Sequence, residues 1–215
     1  MYRTILFDLD GTLTDSGLGI TNAARYALTQ MGYPVPPREE LFKFIGPPLH
    51  DSFQVFCGMD EPTSLEAVRQ FRVYYNEKGI WENLVYDGVK EMLERLDMAG
   101  FSLVLATSKP ETAAVRVMHH FGLDIFVPRI AGATPDPSRG TKGKVIAYAL
   151  REFGIDPAAA VMVGDREHDV LGARENGLPC LGVTYGYGSR QELERAGAAA
   201  VFDTPAQLAD YMMRG

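Results

Sequence analysis

A chain of 215 residues with 46% apolar and 23% charged residues is long enough for a full hydrophobic core and has an ordinary globular composition. Its net charge of −7 excludes a broad basic face for nucleic acid or anionic membrane. A small anion pocket stays open, because one lysine, a metal ion and a few backbone N–H groups suffice for a phosphate. Two isolated cysteines, Cys57 and Cys180, form neither a disulfide framework nor a metal knuckle and are expected as free thiols in a reducing compartment. The opening Met1–Thr4 has no signal-peptide organisation, and no apolar run approaches the ~20 residues that span a bilayer. A cytoplasmic location is expected.

In chain order, Thr4-Ile5-Leu6-Phe7 reads as the first buried strand. From about Ser16 to Tyr86 only helical patterns follow: Ile20, Ala24, Ala27, Leu28 and Met31 before Gly32, then Leu65, Val68, Phe71 and Tyr75. Pro34, Pro36, Pro37 and the run Gly46-Pro47-Pro48 punctuate that stretch. Strand and helix then alternate. Val89, Met92, Leu93 and Leu96 give a helix, and Ser102–Ala106 a strand. Ala114, Val117, Met118 and Phe121 give the next helix, stopped at Gly122. Val145–Phe153 is helical, Ala160–Val163 and Cys180–Val183 are strands, and Thr204-Pro205 opens a closing helix. The fold class is therefore α/β, with a Rossmann-like parallel sheet covered on both faces and an inserted α-helical domain. The sheet domain is expected to comprise 1–15 and 87–215, and the helical cap 16–86.

The chemistry gathers where strands end, as ligand sites do in open α/β sheets. The first strand delivers Asp8-Leu9-Asp10-Gly11-Thr12. Alternation along an extended chain predicts that Asp8 and Asp10 point the same way, and two such carboxylates invite a cation. Gly11 removes a side chain where a ligand could approach the backbone. The second strand leads to Thr107-Ser108-Lys109-Pro110, a hydroxyl with backbone donors. Gly164-Asp165 ends the third, and Asp169 follows one helical turn later. Between them, Lys142 and Lys144 stand before a helix. Each segment alone also reads as a turn, a cap or a solvated face; their succession along one sheet edge is the signal.

These motifs resemble those of the haloacid dehalogenase superfamily, in its phosphatase branch with a small helical cap. Asp8-x-Asp10-Gly11-Thr12, Thr107 and Gly164-Asp165-x-x-x-Asp169 match closely, and the lysine motif is looser. Ile45-Gly46-Pro47-Pro48-Leu49 resembles the cap of phosphoglycolate-phosphatase-like members, whose caps also occur in 5′-nucleotidases. The resemblance implies that Asp8 attacks phosphorus to form an aspartyl-phosphate and that Asp10 is the acid and then the base. It implies that Lys142, or its rival Lys144, cancels charge, and that Gly11, Thr12, Thr107, Ser108 and Lys142 hold the phosphate. Mg²⁺ would sit on Asp8, the Asp10 carbonyl and Asp165, with Asp169 orienting Lys142 or a metal-bound water. The cap would close over the site and choose the leaving group.

The implied substrate is a small phosphorylated metabolite: phosphoglycolate, a nucleoside monophosphate or a sugar phosphate. A phosphomutase of the same fold would share every core residue, and a binding protein that had lost turnover would share the fold. Cap residues Arg25, Lys43, His50, Arg69 and Arg72 are candidate contacts for a substrate carboxylate, with Trp81, Tyr74 and Tyr75 for a base. A monomer or weak dimer is expected.

Overall fold

A computed structural model describes residues 2–214. The chain forms two compact units, Met1–Thr14 with Val85–Gly215, and Asp15–Leu84 between them. It leaves the first unit through β2 (Thr14–Asp15) and returns through β3 (Leu84–Val85), which pair as a two-stranded ribbon.

In the first unit, β1 (Thr4–Phe7) is the central strand. Ile5, Leu6 and Phe7 are buried without remainder, so the run is apolar on both faces rather than alternating. Helix α5 (Val89–Met98) follows β3, burying Val89, Met92, Leu93 and Leu96 at the spacing read from the sequence. Next come β4 (Ser102–Pro110), α6 (Glu111–Phe121) and β5 (Arg129–Ala133). Helix α7 (Lys142–Glu152), β6 (Ala160–Gly164), α8 (Glu167–Glu175) and β7 (Cys180–Val183) complete the central part. Helix α9 (Arg190–Ala196), β8 (Ala200–Phe202) and α10 (Pro205–Arg214) close it.

The sheet order is β5-β4-β1-β6-β7-β8, all parallel, with Thr4 opposite Ser102 on one side and Ala160 on the other. Leu6, Val104, Ala106, Met162 and Cys180 bury one sheet face against Val145, Ile146 and Ala149 of α7, Val170 and Ala173 of α8, and Leu193 of α9. The chain runs outward from β1 to β4 and β5, then returns to β6 on the other side of β1. That reversal makes the carboxyl end of β1 a topological switch point, where two successive crossovers part and leave a crevice.

Three features depart from the sequence reading. β4 runs on through Thr107-Ser108-Lys109, where polar residues hid the strand. β5 and β8 were not expected; they are short strands of five and three residues at the two edges of the sheet, each paired on one side only. Among the helical residues, Leu65 is exposed, and the buried face of its helix is Ser64, Ala67, Val68 and Phe71.

The second unit is helical. Its principal elements are α1 (Gly17–Gln30), α3 (Leu49–Cys57) and α4 (Glu61–Tyr74), with a short turn of helix, α2 (Arg38–Leu41). Ala23, Ala24, Ala27 and Leu28 of the first are buried, and Phe44 meets Phe53 edge-on at 4.9 Å. No helix among the described residues is long and apolar enough to cross a membrane.

Candidate active site

Asp8 lies one residue beyond β1, and its N–H donates to Val163 O (3.0 Å), which fixes it to the end of β6. The chain then turns. Gly11, at φ +87, sits in the left-handed region that glycine alone enters at little cost, and its N–H donates to Thr14 O at 2.8 Å. That bond corrects the expectation that the Gly11 N–H faces a phosphate oxygen. The N–H groups of Leu9 and Asp10 have no hydrogen-bond acceptor among the described residues, and they are the donors nearest Asp8 in sequence. The sequence offered no sign of them, because every non-proline residue carries such a group.

Lys142 is the first residue of α7, behind the cap Thr141, whose hydroxyl accepts from Lys144 N. Its buried Nζ lies 2.8 Å from Asp8 Oδ1 and 2.8 Å from Asp169 Oδ1, and donates to Ala106 O at 3.2 Å. Lys144 is exposed on the same helical turn and reaches Pro137 O instead. The structure thus brings Lys142 to the acids and leaves Lys144 outside. Burial alone would lower the Lys142 pKa, but Asp169 and Asp8 together raise it above the usual lysine value.

Asp165, wholly buried at the tip of β6, accepts from the Thr12 hydroxyl (3.3 Å) and from Tyr187 N (2.8 Å). Thr12 therefore serves Asp165. Asp169 Oδ2 accepts from Arg166 N at 3.1 Å, closing the first turn of α8. Thr107 is buried, and its hydroxyl oxygen accepts from Lys109 N (3.2 Å); Ser108 follows on β4, half-buried.

Asp8, Asp165 and Asp169 each place a carboxylate oxygen within 4.8 Å of the others. Asp10 is not in this cluster; its carboxylate pairs with Lys109 instead, with Nζ 2.8 Å from each oxygen. This departs from the expected Asp8–Asp10 pair. The period-2 alternation stops at Phe7, and Asp10 belongs to the turn that follows. Lys109 was passed over in the sequence because a lysine after Thr-Ser reads as a solvated turn residue.

Three buried carboxylates facing one lysine leave an uncompensated negative charge. Burial, then Asp169 and Asp8, push the Asp165 pKa up to about 8. Burial likewise raises Asp169, against the pull of Lys142. A hard cation fits this donor set: it would satisfy all-oxygen ligands and remove the repulsion that raises Asp165. The glycines of the loop after β7 shape the same place. A Cβ on Gly186 would lie 2.1 Å from Gly11 O and 2.6 Å from Asp165 Oδ2, so this loop can approach the Gly11 turn and the acid only without a side chain.

Three buried acids around one buried lysine at the switch point of a parallel sheet are the arrangement of an enzyme that handles an anionic substrate. Known proteins agree. A family model described as haloacid dehalogenase-like hydrolase matches residues 5–183, and the chain belongs to that family. A 5′-nucleotidase of Pseudomonas aeruginosa is 43% identical over 192 residues, 89% of this chain and 87% of that protein. The tyrosine-protein kinase PtkA of Mycobacterium tuberculosis is 40% identical over 199 residues, 93% of this chain and 68% of PtkA. The crystal structure of a predicted phosphatase from Clostridium acetobutylicum matches with a TM-score of 0.97 at 42% identity, with 100% of both chains covered. The chain is an enzyme of the phosphatase branch.

Proposed function

We propose that the chain is a Mg²⁺-dependent phosphomonoester hydrolase in which Asp8 is the nucleophile. The observation that carries this reading is Lys142 Nζ at 2.8 Å from both Asp8 and Asp169 within a buried acid cluster. A carboxylate and a phosphate dianion repel, so attack requires positive charge at that spot. Asp8 attacks phosphorus in line, and Lys142 neutralises the charge that gathers on the transferring oxygens. The free N–H groups of Leu9 and Asp10, with the Thr107 hydroxyl, hold those oxygens. Asp10 gives a proton to the leaving oxygen and later takes one from water. Asp8, Asp165 and the Asp10 carbonyl would hold Mg²⁺, which supplies Lewis-acid charge neutralisation when bound.

A nucleoside 5′-monophosphate is the substrate class we favour, supported by the 43% likeness to a 5′-nucleotidase. Phosphate release is measured with Mg²⁺ across nucleoside monophosphates, phosphoglycolate and sugar phosphates. Preference for phosphoglycolate would overturn the substrate class and leave the chemistry standing. Because a kinase is also among the relatives, ATP with a tyrosine peptide belongs beside the panel, and hydrolysis is expected to exceed transfer.

Excess chelator is expected to abolish phosphate release and to lower the melting temperature by roughly 5–10 °C, since a cation at a hundredfold its Kd contributes about 2.7 kcal/mol. Mg²⁺ restores both. A rate that survives chelation removes the metal from the reading. Gly186→Ala is expected to raise the Mg²⁺ concentration for half-maximal activity by about 10-fold or more, because the added Cβ clashes with the Gly11 carbonyl and with Asp165 and forces the loop and the acid apart. An unchanged metal dependence would mean that the loop yields without moving the acid.

A further inference from the structure

We infer that Lys109 is a positioning residue for Asp10, fixing its carboxylate for the proton exchanges of turnover. The inference rests on the reading of Asp10 as acid and base. Lys109 is 7% exposed near the end of β4, and its Nζ stands 2.8 Å from both Asp10 oxygens. Asp10 lies in the turn beyond β1, outside the regular ladder, so its backbone alone leaves the side chain free to rotate. A cation gripping both oxygens removes that freedom. A lysine meant for substrate would present its ammonium to solvent; this one is covered and already meets an anion. Its N–H also donates to the Thr107 hydroxyl two residues back on the same strand, which steadies the local backbone.

Lys109 acts on the carboxylate that Asp10 becomes in the first half of the reaction. In that half Asp10 gives its proton to the ester oxygen as the P–O bond breaks and the Asp8–P bond forms. In the second, water attacks phosphorus and passes a proton to the Asp10 carboxylate. The Asp8–P bond then breaks, phosphate leaves, and Asp10 is again protonated. Lys109 holds Asp10 for this second transfer, so its loss slows hydrolysis of the intermediate.

The test uses p-nitrophenyl phosphate, whose leaving group needs no proton. Lys109→Met and Lys109→Gln, each checked by thermal melt, are expected to give a burst of about one p-nitrophenolate per enzyme. Turnover then runs at least about 10-fold slower than wild type with KM not raised, and Lys109→Arg recovers part of the rate. In an Asp10→Asn background Lys109→Met should cost nothing more. A raised KM with kcat unchanged would make Lys109 a substrate contact and overturn the inference, as would additive losses or slow turnover without a burst. If Asp10→Asn alone keeps full turnover of alkyl phosphates, it is the acid/base reading itself that fails.

Discussion

Asp8→Asn is expected to reduce phosphate release about 1000-fold or more, while the protein melts no lower than wild type. The amide has the shape of the carboxylate and lacks its nucleophilic charge. Loss of a nucleophile elsewhere costs catalysis on this scale even when binding is intact. The stability half of the prediction follows from the cluster. Asp8, Asp165 and Asp169 share one buried lysine, so removing one negative charge relieves repulsion instead of orphaning a partner. Lys142 keeps Asp169 at 2.8 Å. The measurement is Mg²⁺-dependent phosphate release from protein purified beside an empty-vector blank, with a thermal melt of the same sample without metal. Substantial residual turnover would exclude Asp8 as the attacking group. A melt several degrees lower would mean that Asp8 is needed to hold Lys142 in place.

Lys142→Met should fail in both respects. Activity is expected to fall about 100-fold or more, as when a preorganised charge-stabilising donor is lost. Stability is expected to fall by about 3–5 kcal/mol, because removing one partner of a buried pair leaves charge without compensation. For a chain of this size that is roughly 6–20 °C in melting temperature. Added Mg²⁺ should return part of the stability and little of the activity. Lys144→Ala, on the exposed side of the same turn, should stay within about 0.5 kcal/mol and near wild-type activity. The reverse pattern, with Lys144→Ala dead and Lys142→Ala active, would exchange their roles.

The sheet was largely legible because its central strands are buried on both faces. Thr4–Phe7 and Cys180–Val183 emerge at the limits read from their apolar runs. The edges were not legible, since Arg129–Ala133 sets Arg129 and Ile130 before three small residues and takes its strand character from pairing with β4 rather than from pattern. The acids at strand ends stood out because carboxylates after apolar runs are rare. The sequence favoured Lys142 and left Lys144 as a rival, since two cations so close at a helix start differ only in which way the first turn faces. Thr141 as cap decides it. Lys109, Tyr187 and Gly186 were missed for a common reason. They act through residues distant in sequence, and nothing local distinguishes a buried lysine or a tight glycine from an ordinary loop.

The position of β1 also governs how the protein comes into being. Thr4 pairs with Ser102 and with Ala160, so the strand that carries Asp8 is made first and flanked last. At ~5–20 residues per second, a ribosome needs roughly 8–30 s to reach the second partner. During that interval the nascent chain carries an apolar strand with open edges and no assembled site. Any chain that stops short of β6 lacks a neighbour for β1, and with it Asp165 and Asp169. The acid cluster is therefore complete only once α8 has followed β6, and the waiting strand is the segment a chaperone has most reason to cover.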